Sequence, residues 1–421
     1  MCQRQYKTEG GVSVTAYRNP SVHGFYISLF VKGGGMYEDE ECSGITHFLE
    51  HVMIRNVNHI FDGKLYSMLD RYGLEFNAST FSEMVQFYVS GADVHFERGA
   101  DMITKLLMPL SLPRSEIDAE RRRVKAEIRE SDDKSSLSSF TAKEVFSGTS
   151  LASSIVGTGR TLDRMSGKRL EEYRCSIFSS KNIFFYVTGS FSEADIASLC
   201  KMIDSYKLSC KTENRNIAPV PRGFFNRSGT VHVKNSDYTM VRFTFDIDMS
   251  RATVAETDLL YDLLLSGYNS KLFIEMSEKR GMLYDINGAS ERYRNIGTLS
   301  FYFEVKAKEL AEAISLAVDI LNSVKDEKNI DCIKAGYVDN AYLLYDDIRE
   351  LNFTFAYDNH IMEQGYNSIE DRKARYENVS AARLAELARE IFLPRNLTLT
   401  VKGDKKKIDT EHIKAITGRL I

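Results

Sequence analysis

The chain has 421 residues, 43% hydrophobic and 27% charged, which fits a folded protein of two or three domains and not a disordered one. A formal net charge of −4 gives no electrostatic case for nucleic-acid binding, and the runs Arg121-Arg122-Arg123 and Lys405-Lys406-Lys407 read as solvated faces. Six scattered cysteines without a C-x-x-C pair argue against a disulfide framework or a cysteine zinc site, and no stretch approaches the roughly 20 apolar residues of a membrane span. With the polar opening Met1-Cys2-Gln3-Arg4-Gln5, the expected location is the reducing cytoplasm.

The first strong strand signal is the apolar run Phe25 to Val31. A little further on stands His47-Phe48-Leu49-Glu50-His51. On a helix, His47 and His51 are one turn apart and share a face with Glu50. Two imidazoles at that spacing suit a tetrahedral zinc, and a carboxylate beside them can act as a base toward the attacking water. The order H-x-x-E-H is the inverse of the common zinc-protease motif H-E-x-x-H. Two histidines leave zinc one protein ligand short, so a downstream carboxylate is needed. The charged amphipathic helix Glu116 to Glu130 offers Glu120 and Glu127 on one face, and periodicity does not choose between them. The glycines Gly157 and Gly159 read as a turn.

Later segments repeat earlier ones. Arg169-Leu170, Ile177-Phe178, Asn182 and Gly189 recur at an offset of 214 as Arg383-Leu384, Ile391-Phe392, Asn396 and Gly403. In each copy a helix should end near Ile-Phe, and Asn should precede an apolar strand that stops at Gly. The stretch Gly63 to Leu74 likewise resembles Ser270 to Met282 at offsets of 207 and 208. Two collinear matches near half the chain length indicate a duplication. Residues 211–222 are polar, carry Pro219 and Pro221, and read as the linker between domains 1–210 and 223–421. In the second copy Leu259 to Leu265 and Glu309 to Val324 have helical spacing, and Leu299 to Val305 reads as a strand. Grouped strands with helices between the groups predict an α+β class: two homologous domains, each a mainly antiparallel sheet with helices packed on one face.

These motifs resemble the pitrilysin, insulinase and mitochondrial processing peptidase family of zinc peptidases. Gly33-Gly34-Gly35-Met36-Tyr37-Glu38 followed by Gly44 to His51 is similar to the family's motif region, and Glu120 to Ile128 to its E-R-x-V-x-x-E-I segment. The resemblance covers nearly the whole chain. It implies one Zn2+ per chain held by His47, His51 and Glu127, with Glu50 as general base and Glu120 as a supporting carboxylate. It also implies that Asn77, Ala78, Ser79 and Thr80 lie on an edge strand where extended peptide substrate adds as a further strand. In the family the second domain lacks the metal and supplies an arginine and a tyrosine to the substrate. Here Tyr284 is present, whereas Ser277 stands in place of the arginine, and a serine supplies neither the charge nor the fork of donors. Arg280 matches a different family arginine. Four such domains enclose one chamber in the family, so two domains imply half a clamshell. The expected partner is a homologous zinc-less subunit bearing Arg and Tyr, the alternative being a homodimer. The implied function is a zinc endopeptidase acting on short unfolded peptides, possible roles being fragment clearance or precursor maturation. The rival class is a non-catalytic structural or interaction subunit.

Overall fold

A computed structural model describes residues 3–130, 136–206, 208 and 231–421. They form two compact units. The first gathers the described residues of 1–132, 153–218 and 342–368, and the second those of 133–152, 219–341 and 369–421. Each unit therefore takes one segment from the opposite half of the sequence. Residues 211–222, read as the linker, lie outside the described residues.

The first unit holds a six-stranded sheet of β1 (Gln3–Lys7), β2 (Ser13–Arg18), β3 (Gly24–Lys32), β4 (Glu75–Thr80), β5 (Met84–Ala92) and β6 (Ile183–Gly189), in the order β1-β2-β6-β3-β5-β4. The second holds β7 (Val231–Asn235), β8 (Met240–Asp248), β9 (Asn287–Arg292), β10 (Ile296–Glu304) and β11 (Leu397–Gly403), in the order β7-β11-β8-β10-β9. The run β2-β6-β3-β5-β4 and the whole second sheet share one pattern: a parallel pair, then three antiparallel pairs. The duplication is thus one topology built twice, α+β and mainly antiparallel.

The repeated asparagines have one physical role. Asn182 donates through Nδ2 to the carbonyls of Ile177 and Lys32. Asn396 donates to those of Ile391, at 2.9 Å, and Asp246, at 2.9 Å. Each ties the end of a helix (Gly167–Ile177 or Ala381–Ile391) to the neighbouring strand, β3 or β8. Asn182→Ala takes one donor from each of two carbonyls, of which that of Ile177 keeps the Ser179 N–H at 3.3 Å, and is expected to cost the first unit about 1 kcal/mol, read as an earlier urea midpoint. An unchanged midpoint would contradict this account of the repeat.

Alternation along β3 sends Phe25, Ile27, Leu29 and Val31 into the helix-covered core, as Leu397, Leu399 and Val401 do on β11. The exchanged segments contact the opposite faces. In the first unit, the helix Ile348–Ala356 places fully buried Asn352 with its Nδ2 on the Tyr186 carbonyl at 2.9 Å. In the second, the helix Leu137–Val145 bonds Thr141 to Thr400 at 2.6 Å and brings Ser138 to Arg242 at 2.9 Å. Among the described residues no helix is long and apolar enough to cross a membrane.

Candidate metal centre

Between β3 and β4 of the first unit run α1 (Ile45–Ile60) and α2 (Leu65–Tyr72), and between β5 and β6 come α3 (Phe96–Thr104) and α4 (Arg114–Glu130). Ile45, Phe48, Leu49, Val52, Met53 and Val57 bury one side of α1 at helical spacing. The chain enters α1 through Gly44, whose φ of 87° and contact with Gly157 leave no room for a side chain: an added Cβ would lie 2.6 Å from the Gly157 Cα. The turn containing Gly157 thus packs on the start of α1.

The other side of α1 faces α4. His47 Nε2 lies 3.6 Å from Glu127 Oε1, and His51 Nε2 lies 3.6 Å from Glu127 Oε2. One donor atom from each of the three falls within 4.8 Å of the others. These gaps are too long for hydrogen bonds. They fit a shared metal, because ligand atoms roughly 2.0–2.2 Å from a tetrahedral zinc stand about 3.3–3.5 Å apart. The donor set, two imidazoles and a carboxylate, is that of a catalytic zinc site with an open position. Among the described residues Glu127, not Glu120, groups with the two histidines in this way. Glu120, 3% exposed, stands behind His51 with Oε2 at 3.7 Å from Nδ1. His47 differs, since its Nδ1 is buried and makes no hydrogen bond.

The facing rows continue beyond the metal ligands. Arg55 and His59 extend the four-residue spacing of His47 and His51, and Glu116 continues the acidic row on α4. Arg55 Nε donates to Glu116 at 2.8 Å, and its Nη1 lies 3.8 Å from Glu120. His59 Nδ1 is 3.7 Å from Glu116. This ladder was legible as periodicity in both helices, but which helix faces which was not.

Glu50, 8% exposed, accepts a hydrogen bond from the Thr80 hydroxyl at 2.6 Å on Oε2. Burial pushes its carboxyl above the ordinary range, only partly offset by the Thr80 bond and by His51, and Glu127 adds to the rise. A carboxylate so shifted moves toward the pKa that suits a base near neutral pH. Burial also raises Glu120, but His51, Arg123 and Arg55 outweigh it and hold that carboxyl below the ordinary range.

Thr80 ends β4, an edge strand of its sheet. The hairpin bond from Phe81 N to Met84 O fixes the alternation, so Phe76, Ala78 and Thr80 turn their backbone polar groups to the open side. The Ala78 N–H is taken by the Asn77 side chain at 2.9 Å. Asn77 to Thr80 therefore occupy an edge, beside Glu50.

Tyr284 and Ser277 belong to the second unit. Tyr284 is fully exposed and lines an open cleft with Arg280 and Tyr302. Arg280 is engaged by Glu275, through the backbone carbonyl at 2.8 Å and the carboxylate at 3.0 Å. Ser277 lies in the π-helical turn Phe273–Glu278. In that unit the helix Val254–Leu264 holds the topological place of α1 and carries no histidine.

Two sequence profiles account for most of the chain: Insulinase (Peptidase family M16) over residues 13–159, and Peptidase M16 inactive domain over residues 164–335. The chain belongs to the insulinase family. The M16 profile spans all of the metal centre, and the inactive-domain profile includes Tyr284. An uncharacterized zinc protease of Bacillus subtilis is 22% identical over 76% of this chain and 78% of its own length. One from Streptomyces coelicolor is 21% identical over 96% and 90%. The same fold occurs in a protease from Helicobacter pylori (TM-score 0.81, 16% identity, 95% of this chain and 99% of that one). It also occurs in the periplasmic protease PqqL of Escherichia coli (TM-score 0.80, 16% identity), where 99% of this chain covers 50% of that one. This insulinase-family chain is therefore the length of one half of that longer protein.

Metal binding at His47 and His51 requires neutral imidazoles. Burial, then the proximity of His51, pushes His47 down to about 4, so it is neutral near pH 7. Burial would lower His51 too, but the facing Glu120, Glu50 and Glu127 outweigh it and raise it above the ordinary imidazole value. Zinc affinity is expected to be flat above the raised pKa of His51 and to fall about tenfold per pH unit as pH drops through it. Competition titrations from roughly pH 5 to 8 check this, and a two-proton slope would contradict it.

Proposed function

We propose that this chain is a zinc-dependent endopeptidase for short, extended peptides, working with a homologous second chain. The carrying observation is the convergence of His47, His51 and Glu127 beside a buried carboxylate, Glu50, that is itself tied to an edge strand. Bound zinc would supply Lewis-acid polarisation of the scissile carbonyl and activation of water.

The chain's own residues have separable tasks. His47, His51 and Glu127 hold the metal, and Glu120 faces His51 from behind and orients it. Thr80 holds one oxygen of Glu50 and leaves the other to take the proton of the attacking water and return it to the leaving amine. The open side of β4 receives an extended peptide by backbone hydrogen bonding, which demands conformation more than sequence. A folded protein presents no such free strand, so unfolded peptides are the substrate class.

The second chain is supported by length and by Ser277. A protein such as PqqL carries two such lengths in one chain, and Ser277 leaves this one without the arginine expected in its second domain. A homologous subunit bearing Arg and Tyr would supply those groups. The test is mass spectrometry of a mixed peptide digest by the zinc-loaded chain, alone and with a homologous zinc-less subunit, with and without chelator. Chelator-sensitive internal cleavage that rises with the second subunit is expected. Bound zinc without cleavage in either mixture would favour a non-catalytic role.

A further inference from the structure

Glu38 lies in the segment Gly33 to Glu38, ahead of the metal helix, and has no part in the chemistry above. It is 7% exposed. One oxygen accepts the Gly44 N–H at 2.6 Å and the other the Thr46 N–H at 2.8 Å. An N–H on each oxygen is the bonding that favours a carboxylate, although burial outweighs the bonds from Thr46 and Gly44 and pushes this carboxyl above its ordinary range. Among the described residues it forms no ion pair.

A helix cap explains part of this. Gly44, at the N-cap position, has no side chain to satisfy the first-turn donors, and Glu38 serves them from six residues upstream. Thr46 is held a second time through its hydroxyl, 2.7 Å from Tyr173. A cap alone needs only a hydroxyl or an amide, however, and burying a charge is costly unless something compensates it. Two positive features lie next in the chain: the N-terminal end of α1 and, one residue past Thr46, His47 with its place for a dication. The positive end of a helix disfavours a cation bound in its first turn. A buried carboxylate at that end reverses the balance.

We infer that Glu38 is a positioning residue for the metal centre: it anchors the first turn of α1, where His47 sits, and supplies the counter-charge that lets a dication bind at a helix N-terminus. This rests on the metal-site reading proposed above and extends it to a residue outside the ligand set.

Zinc dissociation constants, measured by chelator competition on the full chain without peptide, test it. Glu38→Gln keeps the size but loses the charge and sets its NH2 against one of the two N–H donors, and Glu38→Asp keeps the charge and both acceptors. The Gln variant is expected to bind zinc about tenfold more weakly and the Asp variant within about threefold of wild type. A purely structural cap would lower the melting temperature of apo and zinc-loaded protein alike and leave the zinc constant unmoved, which overturns the inference. Equal weakening by Gln and Asp also overturns it, since charge would then not matter. If the Gln variant does not fold, a tenfold loss in the Asp variant overturns it and near-wild-type binding supports it. Wild-type protein that binds no zinc would sink the metal-site reading itself, whereas bound zinc without peptide cleavage leaves the inference standing.

Discussion

Glu50→Gln is expected to leave zinc binding close to wild type and to lower kcat for peptide cleavage by about 10²–10⁴-fold, the usual contribution of a positioned general base. The expectation comes from the bonding of Glu50. Its carboxylate lies outside the group of His47, His51 and Glu127 that could hold a metal. One oxygen takes the Thr80 hydroxyl at 2.6 Å. Glutamine preserves that contact through its amide oxygen but has no second carboxylate oxygen to accept a proton. Single-turnover rates beside a zinc titration separate the two effects. Cleavage at a near-normal rate would remove Glu50 from the mechanism, and loss of zinc would make it a ligand. The measurement uses whichever preparation, the chain alone or mixed with a homologous subunit, cleaves peptides.

Glu127→Ala is expected to weaken zinc by more than about 100-fold, because changing an outer-shell partner alone typically costs 10–100-fold and this change removes a ligand. Among the described residues Glu127 alone lies near both histidines, at 3.6 Å each, and its side chain is 45% exposed. The exposure matters for interpretation. Truncating a half-exposed glutamate leaves no buried cavity, so apo-protein stability should be nearly unchanged while the zinc-dependent rise in melting temperature disappears. Glu120→Ala, at 3% exposure, should instead lower apo stability and weaken zinc by less. If Glu120 proves the more damaging loss for metal binding, the assignment of third ligand and supporting carboxylate is reversed.

Local spacing does not distinguish those two glutamates. Helical periodicity put both on one face of α4, and only the family resemblance favoured Glu127. The structure gives the reason: α4 lies along α1 so that Glu127 reaches both imidazoles at Nε2, while Glu120 meets only the Nδ1 side of His51. The Asn repeats were visible as matched letters, but their function as helix-to-strand ties required the positions of Lys32 and Asp246, some 150 residues away. The edge position of Asn77 to Thr80 was implied by resemblance. The bond from Thr80 to Glu50 was not legible at all, because it joins side chains from a strand and a helix that come together only in the fold.

By itself the sequence determined the motif, the duplication and the α+β class, because each is written in local spacing: four residues for a helix face, alternation for a strand, a constant offset for a repeat. Tertiary structure alone decided which carboxylate groups with His47 and His51, what holds Glu50 and which segments cover the second face of each sheet. Those depend on which surfaces meet. The exchange of 133–152 and 342–368 between units is of this kind: each sheet has two faces, the core helices cover one, and whichever segment buries the other is selected by packing over the whole domain.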